Sequence, residues 1–279
     1  MTTPWAVIPI AGRGTRLQPA AAVIPKALLP VGPWPMLHGA LDECVRAEIG
    51  GIVLVMGPDQ ALVHAYLDEA LAVARRGDVG DLADLGRGLL QIDLVRVEQR
   101  APTGVGDAFM LGRPFTGDGS FAVLLPDNWF QAEPAAIAQV SRAYEVTGCC
   151  SLGLTEVAPD EAHLFGNVGG MELDLVGDGT YRVAALQDKL PGQFPAAGVP
   201  VLRGCARYVL DGRFYEALLA TGPPESGEWD DVPAFQHLIA AEGLAAQRII
   251  GQHYDVGHQA GYLAAAAYLA RQQPPSAAP

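Results

Sequence analysis

Short apolar runs and alanine-rich stretches alternate along the first part of the chain. The apolar runs are rich in β-branched residues, which is typical of buried strands, and the longer stretches have apolar residues at helical spacing. This alternation predicts an α/β, Rossmann-like fold with a mixed, mostly parallel sheet flanked by helices. The predicted strands are Ala6–Ile10, Gly51–Met56, Ile92–Val97, Phe121–Leu125 and Cys149–Thr155, and the predicted helices are Met36–Ala47, Ala61–Ala74, Gly106–Leu111 and Ala135–Thr147.

The second part of the chain has a different pattern. The strand-like runs Met171–Val176 and Tyr181–Leu186 flank Gly177-Asp178-Gly179, which predicts an antiparallel hairpin. Helical spacing returns at Phe214–Leu219 and Val232–Ala241. The sequence therefore predicts a small antiparallel lobe beside the α/β unit.

Two segments do not fit these patterns. Gly77–Gln91 mixes glycine and aspartate with apolar residues, and we expect a surface excursion there. Arg271–Pro279 is polar and proline-rich, so we expect a disordered tail. The remaining residues 1–270 are enough for a single domain with one substantial core.

Composition and charge limit the expected partners. The 279-residue chain has a formal net charge of −13 and no lysine-arginine cluster, so nucleic acid is not expected to bind. Neither a signal-peptide pattern nor an apolar run of membrane-spanning length is present, and we expect a soluble, cytoplasmic protein without membrane contact. A homo-oligomer stays an open alternative. The cysteines lack Cys-x-x-Cys spacing and are expected to be reduced core residues: Cys44, Cys149, Cys150 and Cys205.

A glycine-rich turn, residues 11–17 (Ala-Gly-Arg-Gly-Thr-Arg-Leu), follows the first predicted strand. Backbone N–H groups of such a turn can approach phosphate oxygens closely, and Arg16 and Lys26 add positive charge. The turn is not a Walker motif, because no Gly-Lys-Ser/Thr follows, and it lacks the third glycine of the dinucleotide fingerprint. We predict a nucleoside triphosphate site, and a simple tight turn is the alternative.

A longer pattern joins this turn to residues 23–30 (Val-Ile-Pro-Lys-Ala-Leu-Leu-Pro). The whole pattern resembles the sugar-1-phosphate nucleotidyltransferases and is most similar to the bacterial glucose-1-phosphate uridylyltransferases. The resemblance implies the nucleotide-diphospho-sugar transferase fold, with the nucleotide bound mainly by residues 1–155 and the sugar phosphate mainly by residues 156–270. It also implies transfer from an NTP, with UTP as the best candidate, to a sugar 1-phosphate, with glucose 1-phosphate as the best candidate. These small molecules are the expected partners, and an NDP-sugar and pyrophosphate are the expected products.

The resemblance also implies which residues bind the triphosphate. Ala11, Gly12, Gly14 and Thr15 would bind it through the turn. Arg16 and Lys26 would balance charge on the α-phosphate and the departing pyrophosphate. The attacking oxygen of a sugar 1-phosphate is already ionised near neutral pH, so catalysis needs positioning and charge neutralisation rather than a general base.

Two acids are implied metal ligands. Asp127 follows a strand in Leu125-Pro126-Asp127, where a lone aspartate is more often a cap or turn residue. In the family, the aspartate of a Leu-Pro-Asp segment holds Mg²⁺, and a late Asp-x-Gly segment supplies the second ligand. Asp255 in Tyr254–Gly257 resembles that late segment. Two carboxylates suit Mg²⁺, which prefers hard oxygen ligands.

The same resemblance implies the base and sugar contacts. Gln99 would bind the uracil edge, since an amide has both a donor and an acceptor, and Gly104 would let the base lie against the backbone. Asp188 and Lys189 match the family's Glu-Lys pair, in which the lysine contacts the sugar phosphate and the acid a sugar hydroxyl. A polar loop at Gln99 and a solvated ion pair at Lys189 are the alternatives. Gly166 resembles a family glycine near the sugar.

The chain departs from the family pattern at two places. Residues 32–35 (Gly-Pro-Trp-Pro) replace Asp-Lys-Pro, and residues 227–233 (Gly-Glu-Trp-Asp-Asp-Val-Pro) replace Gly-Glu-Ile-Gln-Leu-Thr-Asp. We interpret this as a loss of charge on the sugar or phosphate side. Two alternatives therefore stay open: a thymidylyl- or cytidylyltransferase of the same fold, and a catalytically weakened subunit that binds nucleotide sugars.

Overall fold

The structure is a computed structural model that describes residues 3–166, 170–187, 201–225 and 227–272. The strands, in chain order, are β1 (Trp5–Pro9), β2 (Pro30–Val31), β3 (Trp34–Pro35), β4 (Gly51–Met56), β5 (Asp93–Glu98), β6 (Phe121–Leu124), β7 (Asn128–Gln131), β8 (Ser151–Val157), β9 (Met171–Gly177), β10 (Thr180–Leu186), β11 (Val201–Leu210), β12 (Ala245–Arg248) and β13 (Gln252–Asp255). The α-helices are α1 (Met36–Arg46), α2 (Ala61–Arg76), α3 (Asp81–Leu89), α4 (Val105–Thr116), α5 (Ala136–Thr147), α6 (Gly212–Thr221), α7 (Val232–Ala241) and α8 (Gln259–Gln272).

Nine of the described strands form one sheet in the order β5-β4-β1-β6-β11-β8-β12-β10-β9. The pairings give seven strands one direction and leave only β11 and β10 reversed. This confirms the predicted mixed, mostly parallel α/β sheet. The predicted hairpin is present as β9 and β10, and it continues the main sheet at one edge. Two further sheets have two strands each, β2 with β3 and β7 with β13.

Successive side chains of the central strands enter cores on opposite faces of the sheet, as the strand period requires. Ile8 of β1 packs with residues of α1, α2, α3 and α5, whereas the adjacent Val7 packs with residues of α4, α6 and α7. Both side chains are fully buried. The helices therefore cover both faces of the sheet, as the alternating sequence pattern predicts.

The prediction of a surface excursion at Gly77–Gln91 is wrong, because this segment contains α3. Leu85 and Leu89 of α3 are buried in the core. A Cβ atom at Gly86 would overlap the Ala70 carbonyl of α2, so this glycine permits close helix packing. Its low intrinsic helix propensity is overcome by tertiary packing.

Other short or late elements were missed. The paired strands β7 and β13 carry polar residues, which conceal the alternation of a strand. The helix α8 reaches Gln272, so Arg271 and Gln272 are helical and not part of a tail, while residues 273–279 lie outside the described part of the chain. No helix among the described residues is long and apolar enough to span a membrane. All four cysteines are free thiols, and Cys44, Cys150 and Cys205 are buried as predicted, whereas Cys149 is only half-buried.

Candidate active site

A cleft of about 470 Å³ opens beyond the carboxyl ends of β1, β5 and β6. This is the edge at which open α/β sheets bind ligands. The wall beyond the central strands is formed by β11 and by the segment before α7. Eight of the residues predicted from the sequence line the cleft: Ala11, Gly12, Arg16, Lys26, Gln99, Gly104, Asp127 and Asp255.

The two glycines of the turn have different roles. Gly12 lines the cleft, and no atom lies within 4 Å of the position that a Cβ would occupy. This open space suits a close approach of phosphate to the backbone. Gly14 has a φ of 62°, and a Cβ there would lie 2.9 Å from the Cβ atoms of Ala21 and Lys26. Gly14 and Thr15 are not among the cleft-lining residues; they form the turn that carries Arg16.

Lys26 and Asp127 form an ion pair in the cleft. The Nζ of Lys26 lies 2.5 Å from Oδ2 of Asp127, and both side chains are largely buried. The Nδ2 of Asn128 donates to Oδ1 of Asp127 at 3.0 Å. Burial alone would raise the pKa of Asp127, but the charge and hydrogen bond of Lys26, the Asn128 amide and the charge of Arg16 outweigh it and lower the pKa to about 2. Asp127 is therefore ionised at neutral pH.

The pairing of β7 with β13 brings the two predicted metal ligands together. Asp255 stands opposite Asn128 in this ladder, and the backbone N–H of Val256 donates to the Asp127 carbonyl at 2.8 Å. The Oδ2 of Asp255 accepts a 2.7 Å hydrogen bond from the N–H of Gly166. Two carboxylates at neighbouring backbone positions, one of them held ionised, fit a hard divalent cation whose remaining ligands would be water and phosphate. The described residues contain no group of three or more acidic, histidine or cysteine side chains suited to a metal.

Gln99 is held by hydrogen bonds within the loop before α4. Its Nε2 donates to the Gly104 carbonyl at 2.9 Å and to Oδ2 of Asp107 at 2.8 Å. Because both partners are acceptors and the Thr103 hydroxyl donates its proton to Asp107 at 2.6 Å, only the amide nitrogen can face them. The Oε1 of Gln99 has no partner among the described residues. Gln99 can therefore offer the cleft an acceptor and no donor.

Trp229 braces the same loop. Its backbone N–H donates to the Thr103 carbonyl at 2.7 Å, and its carbonyl accepts from the N–H of Gly106 at 2.9 Å. A Cβ at Gly104 would overlap the backbone of Trp229. The close approach of Trp229 is therefore a reason for glycine at position 104 that the sequence analysis missed.

Residues 5–272, which are nearly the whole chain and include all of these cleft residues, match the family model for nucleotidyl transferases. The chain belongs to the nucleotidyl transferase family. Members of this family generally use a divalent metal.

Individual relatives of this nucleotidyl transferase are similar over most of their length. A UTP–glucose-1-phosphate uridylyltransferase of Staphylococcus saprophyticus is 30% identical over 262 residues, which cover 92% of this chain and 89% of the relative. The enzyme of that name from Bacillus subtilis is 29% identical, with 96% and 91% covered. Among solved structures, an apo UDP-glucose pyrophosphorylase has a TM-score of 0.83 at 25% identity, with 97% of this chain and 100% of that chain covered.

Of the remaining predicted site residues, Gly166 lies beside the cleft, and two others are not described. The backbone N–H of Gly166 binds Asp255, and a Cβ at Gly166 would lie 2.9 Å from Nη1 of Arg16. This glycine thus sits between a phosphate-binding candidate and a metal-binding candidate. Asp188 and Lys189 lie outside the described residues.

The two departures from the family pattern lie in different places. Residues 32–35 do not line the cleft; Trp34 instead packs near Trp129 in an apolar cluster that includes Leu269 of α8. In the second segment, Glu228, Asp230 and Asp231 line the cleft. This segment therefore places three acidic residues in the cleft wall, and the interpretation of a charge loss is wrong for it.

A buried ion pair supports the segment that carries Asp127. The Nη2 of Arg207 lies 2.9 Å from Oε2 of Glu43, and both side chains are almost fully buried. The same guanidinium donates to the Leu125 carbonyl at 3.0 Å and to the Asn128 carbonyl at 2.8 Å. Arg207 therefore fixes the backbone on both sides of Asp127.

Arg203, a buried arginine of β11, also lines the cleft and was not predicted from the sequence. It is 8% exposed, and its guanidinium carbon lies 4.5 Å from the centre of the Phe165 ring. Burial lowers the pKa of Arg203 to about 10, although the charge of Asp255 opposes this shift. Arg203 is therefore positively charged at neutral pH. Its charge within the mostly apolar run Val201–Leu210, for which no strand was predicted, was the signal that could have identified it.

Proposed function

We propose that this nucleotidyl transferase transfers a uridylyl group from UTP to a sugar 1-phosphate, with glucose 1-phosphate as the preferred acceptor. The observation that carries this proposal is the meeting of the glycine-rich turn, Lys26 and the two carboxylates Asp127 and Asp255 at one end of the sheet. Relatives named UTP–glucose-1-phosphate uridylyltransferase support the choice of substrates.

The reaction proceeds by in-line attack of the ionised sugar-phosphate oxygen on the α-phosphorus of UTP. A new oxygen–phosphorus bond forms, the bond between the α-phosphorus and the bridging oxygen breaks, and its electron pair leaves with pyrophosphate. The backbone at Gly12 would hold the triphosphate, and Arg16 and Lys26 would neutralise charge on the α-phosphate and the leaving group. Bound Mg²⁺, held by Asp127 and Asp255, would neutralise further phosphate charge.

The free Gln99 acceptor supports a base with an N–H at position 3. Uracil and thymine carry this donor, whereas the corresponding nitrogen of cytosine is an acceptor and would face Oε1 of Gln99 without a hydrogen. This favours UTP or dTTP over CTP and argues against the cytidylyltransferase alternative. On the sugar side, resemblance to the family implies that Lys189 contacts the sugar phosphate and that Asp188 contacts a sugar hydroxyl. It also implies that Gly166 lies near the sugar.

A pyrophosphate-release assay tests the proposal with UTP, dTTP, CTP, ATP and GTP against several sugar 1-phosphates. We expect kcat/KM for UTP to exceed that for the purine nucleotides by ~100-fold or more, because a wrong base leaves buried polar groups unpaired. Comparable rates with ATP and UTP would contradict a pyrimidine site. Tight nucleotide binding without turnover for any pair would instead identify a binding subunit.

A further inference from the structure

Arg203 has two hydrogen-bond donors without a partner among the described residues. Its Nε and Nη1 are buried, and neither makes a hydrogen bond to this part of the chain. Nearly all buried polar groups in proteins have a partner, and the requirement is stricter for a charged group. Two orphaned donors of one guanidinium, in a side chain that lines the cleft, therefore indicate a ligand that the protein does not itself supply.

The surroundings of Arg203 favour a phosphate as this ligand. The ring of Phe165 covers the guanidinium face, which leaves the planar edge for hydrogen bonding. The neighbouring Asp255 already accepts hydrogen bonds from the backbone N–H groups of Gly166 and Gly257. The unpaired Nε and Nη1 belong to the two different edges of the guanidinium, each of which is completed by Nη2. Either edge matches two oxygens of a phosphate group, and the guanidinium keeps its charge in a buried site.

The position of Arg203 indicates which phosphate it binds. The candidate triphosphate ligands Gly12, Arg16 and Lys26 belong to the first part of the chain. Arg203 lies on β11, and the cleft residues Met171 and Gln187 come from β9 and from the end of β10. We propose that Arg203 binds the phosphate of the acceptor sugar 1-phosphate beside Asp255. This inference rests on the proposed function, and it adds a cation to the acceptor side.

The test compares Arg203→Gln and Arg203→Lys with the wild type. The matched control is Arg248→Gln, which removes a surface arginine of β12 that pairs with Glu156. KM values for glucose 1-phosphate and UTP come from the pyrophosphate-release assay. Calorimetric titration with glucose 1-phosphate, and separately with uncharged glucose, measures the contribution of the phosphate group to binding without turnover.

We expect Arg203→Gln to raise KM for glucose 1-phosphate by ~10-fold or more, because a charge-assisted, two-point contact is lost. KM for UTP should stay within ~3-fold, since that ligand binds elsewhere. Arg203→Lys should lie between the wild type and Arg203→Gln, because lysine keeps the charge but not the fork. Arg248→Gln should match the wild type.

The outcomes separate the two proposals. An active wild type with an unchanged acceptor KM in Arg203→Gln overturns the inference alone, as does an equal rise in both KM values. An inactive wild type overturns the proposed function, and calorimetry then decides the inference. The inference is overturned if the wild type and Arg203→Gln bind glucose 1-phosphate with equal affinity. It is also overturned if neither protein binds glucose 1-phosphate. If Arg203→Gln does not fold, Arg203→Lys gives the same comparison.

Discussion

The carboxylate of Asp107 accepts a 2.8 Å hydrogen bond from the side-chain amide of Gln99. Together with the Gly104 carbonyl, it occupies the amide nitrogen and leaves the Oε1 acceptor of Gln99 for a ligand. Asp107 thus fixes the orientation of Gln99, on which base selection would depend in the proposed function.

This relationship predicts a loss of base selectivity in Asp107→Ala. We expect the ratio of kcat/KM for UTP over CTP to fall by ~10-fold, because the amide loses one of its restraints and can reorient. Steady-state kinetics with both nucleotides measure the ratio, and Asp174→Ala on the exposed side of β9 is the control. A proportional loss for both nucleotides would contradict the positioning role.

The two acids of the cleft, Asp127 and Asp255, predict a strict metal requirement. We expect Asp127→Ala and Asp255→Ala each to lower kcat by ~100-fold or more, because each would hold a cation that neutralises charge in the transition state. Chelation of divalent metal should abolish turnover, and added Mg²⁺ should restore it in the wild type. Activity of Asp127→Ala equal to that of the wild type at millimolar Mg²⁺ would rule out its assignment as a ligand.

The two predicted lysines should act on different substrates. Lys26 lies beside the glycine-rich turn and Asp127, so Lys26→Ala should weaken UTP binding. Lys189→Ala should chiefly raise KM for the sugar 1-phosphate. Isothermal titration of each ligand against each variant separates the effects. Equal weakening of both ligands by both changes would show that this division is wrong.

The buried Arg207–Glu43 pair predicts a large stability effect. Glu43→Ala leaves the Arg207 charge and the backbone N–H of Ile137 without their carboxylate partner. We expect a loss of about 3–5 kcal/mol in the free energy of unfolding. Urea denaturation measures it, with Glu69→Ala in an exposed pair as the control, where less than about 1 kcal/mol is expected. Similar losses for both variants would contradict the supporting role of Arg207.

Asp211 predicts a pH-dependent contribution to stability. It caps α6 and accepts hydrogen bonds from Arg213 and Tyr144. Burial would raise the pKa of Asp211, but these partners lower it below the ordinary value. The stabilisation is therefore complete above about pH 4 and is lost as the pH falls through the lowered folded-state pKa.

The matching experiment compares the wild type with Asp211→Asn. We expect the wild type to be more stable by about 1–2 kcal/mol at pH 7, because charge-assisted hydrogen bonds are lost in the variant. The difference should shrink below pH 4. Urea unfolding at a series of pH values measures it, and a difference independent of pH would contradict the role of the charge.

The sequence predicted most of the sheet and helices, because apolar periodicity reflects burial directly. Gly51–Met56 and Val232–Ala241 match their elements at both ends. Gly77–Gln91 was misassigned, since the glycines that disfavour an isolated helix here allow α3 to approach α2. The strands β7 and β13 were missed because polar residues, of which Asn128 and Asp255 line the cleft, interrupt their apolar positions.

The candidate site was predictable where a local motif carries the chemistry. Gly12 and Lys26 lie close together in sequence, and the glycine-rich turn identifies them. Asp107 and Trp229 act through the geometry of a loop, which leaves no pattern in a single chain. Only its charge in a mostly apolar run marks Arg203, and its role depends on contacts with residues distant in sequence. Such contacts require the three-dimensional structure.

The place of β11 in the sheet also has a consequence for biosynthesis. This strand pairs with β6 on one side and β8 on the other, although β6 precedes it by a long stretch of chain. On the ribosome, the edge of β6 stays unpaired until residues 201–210 have emerged. Apolar strand edges of this kind are templates for aggregation. A fragment that ends before residue 201 would therefore expose the edge of β6 that β11 covers in the full chain. For this reason, the first half of the chain is not expected to form a soluble protein by itself.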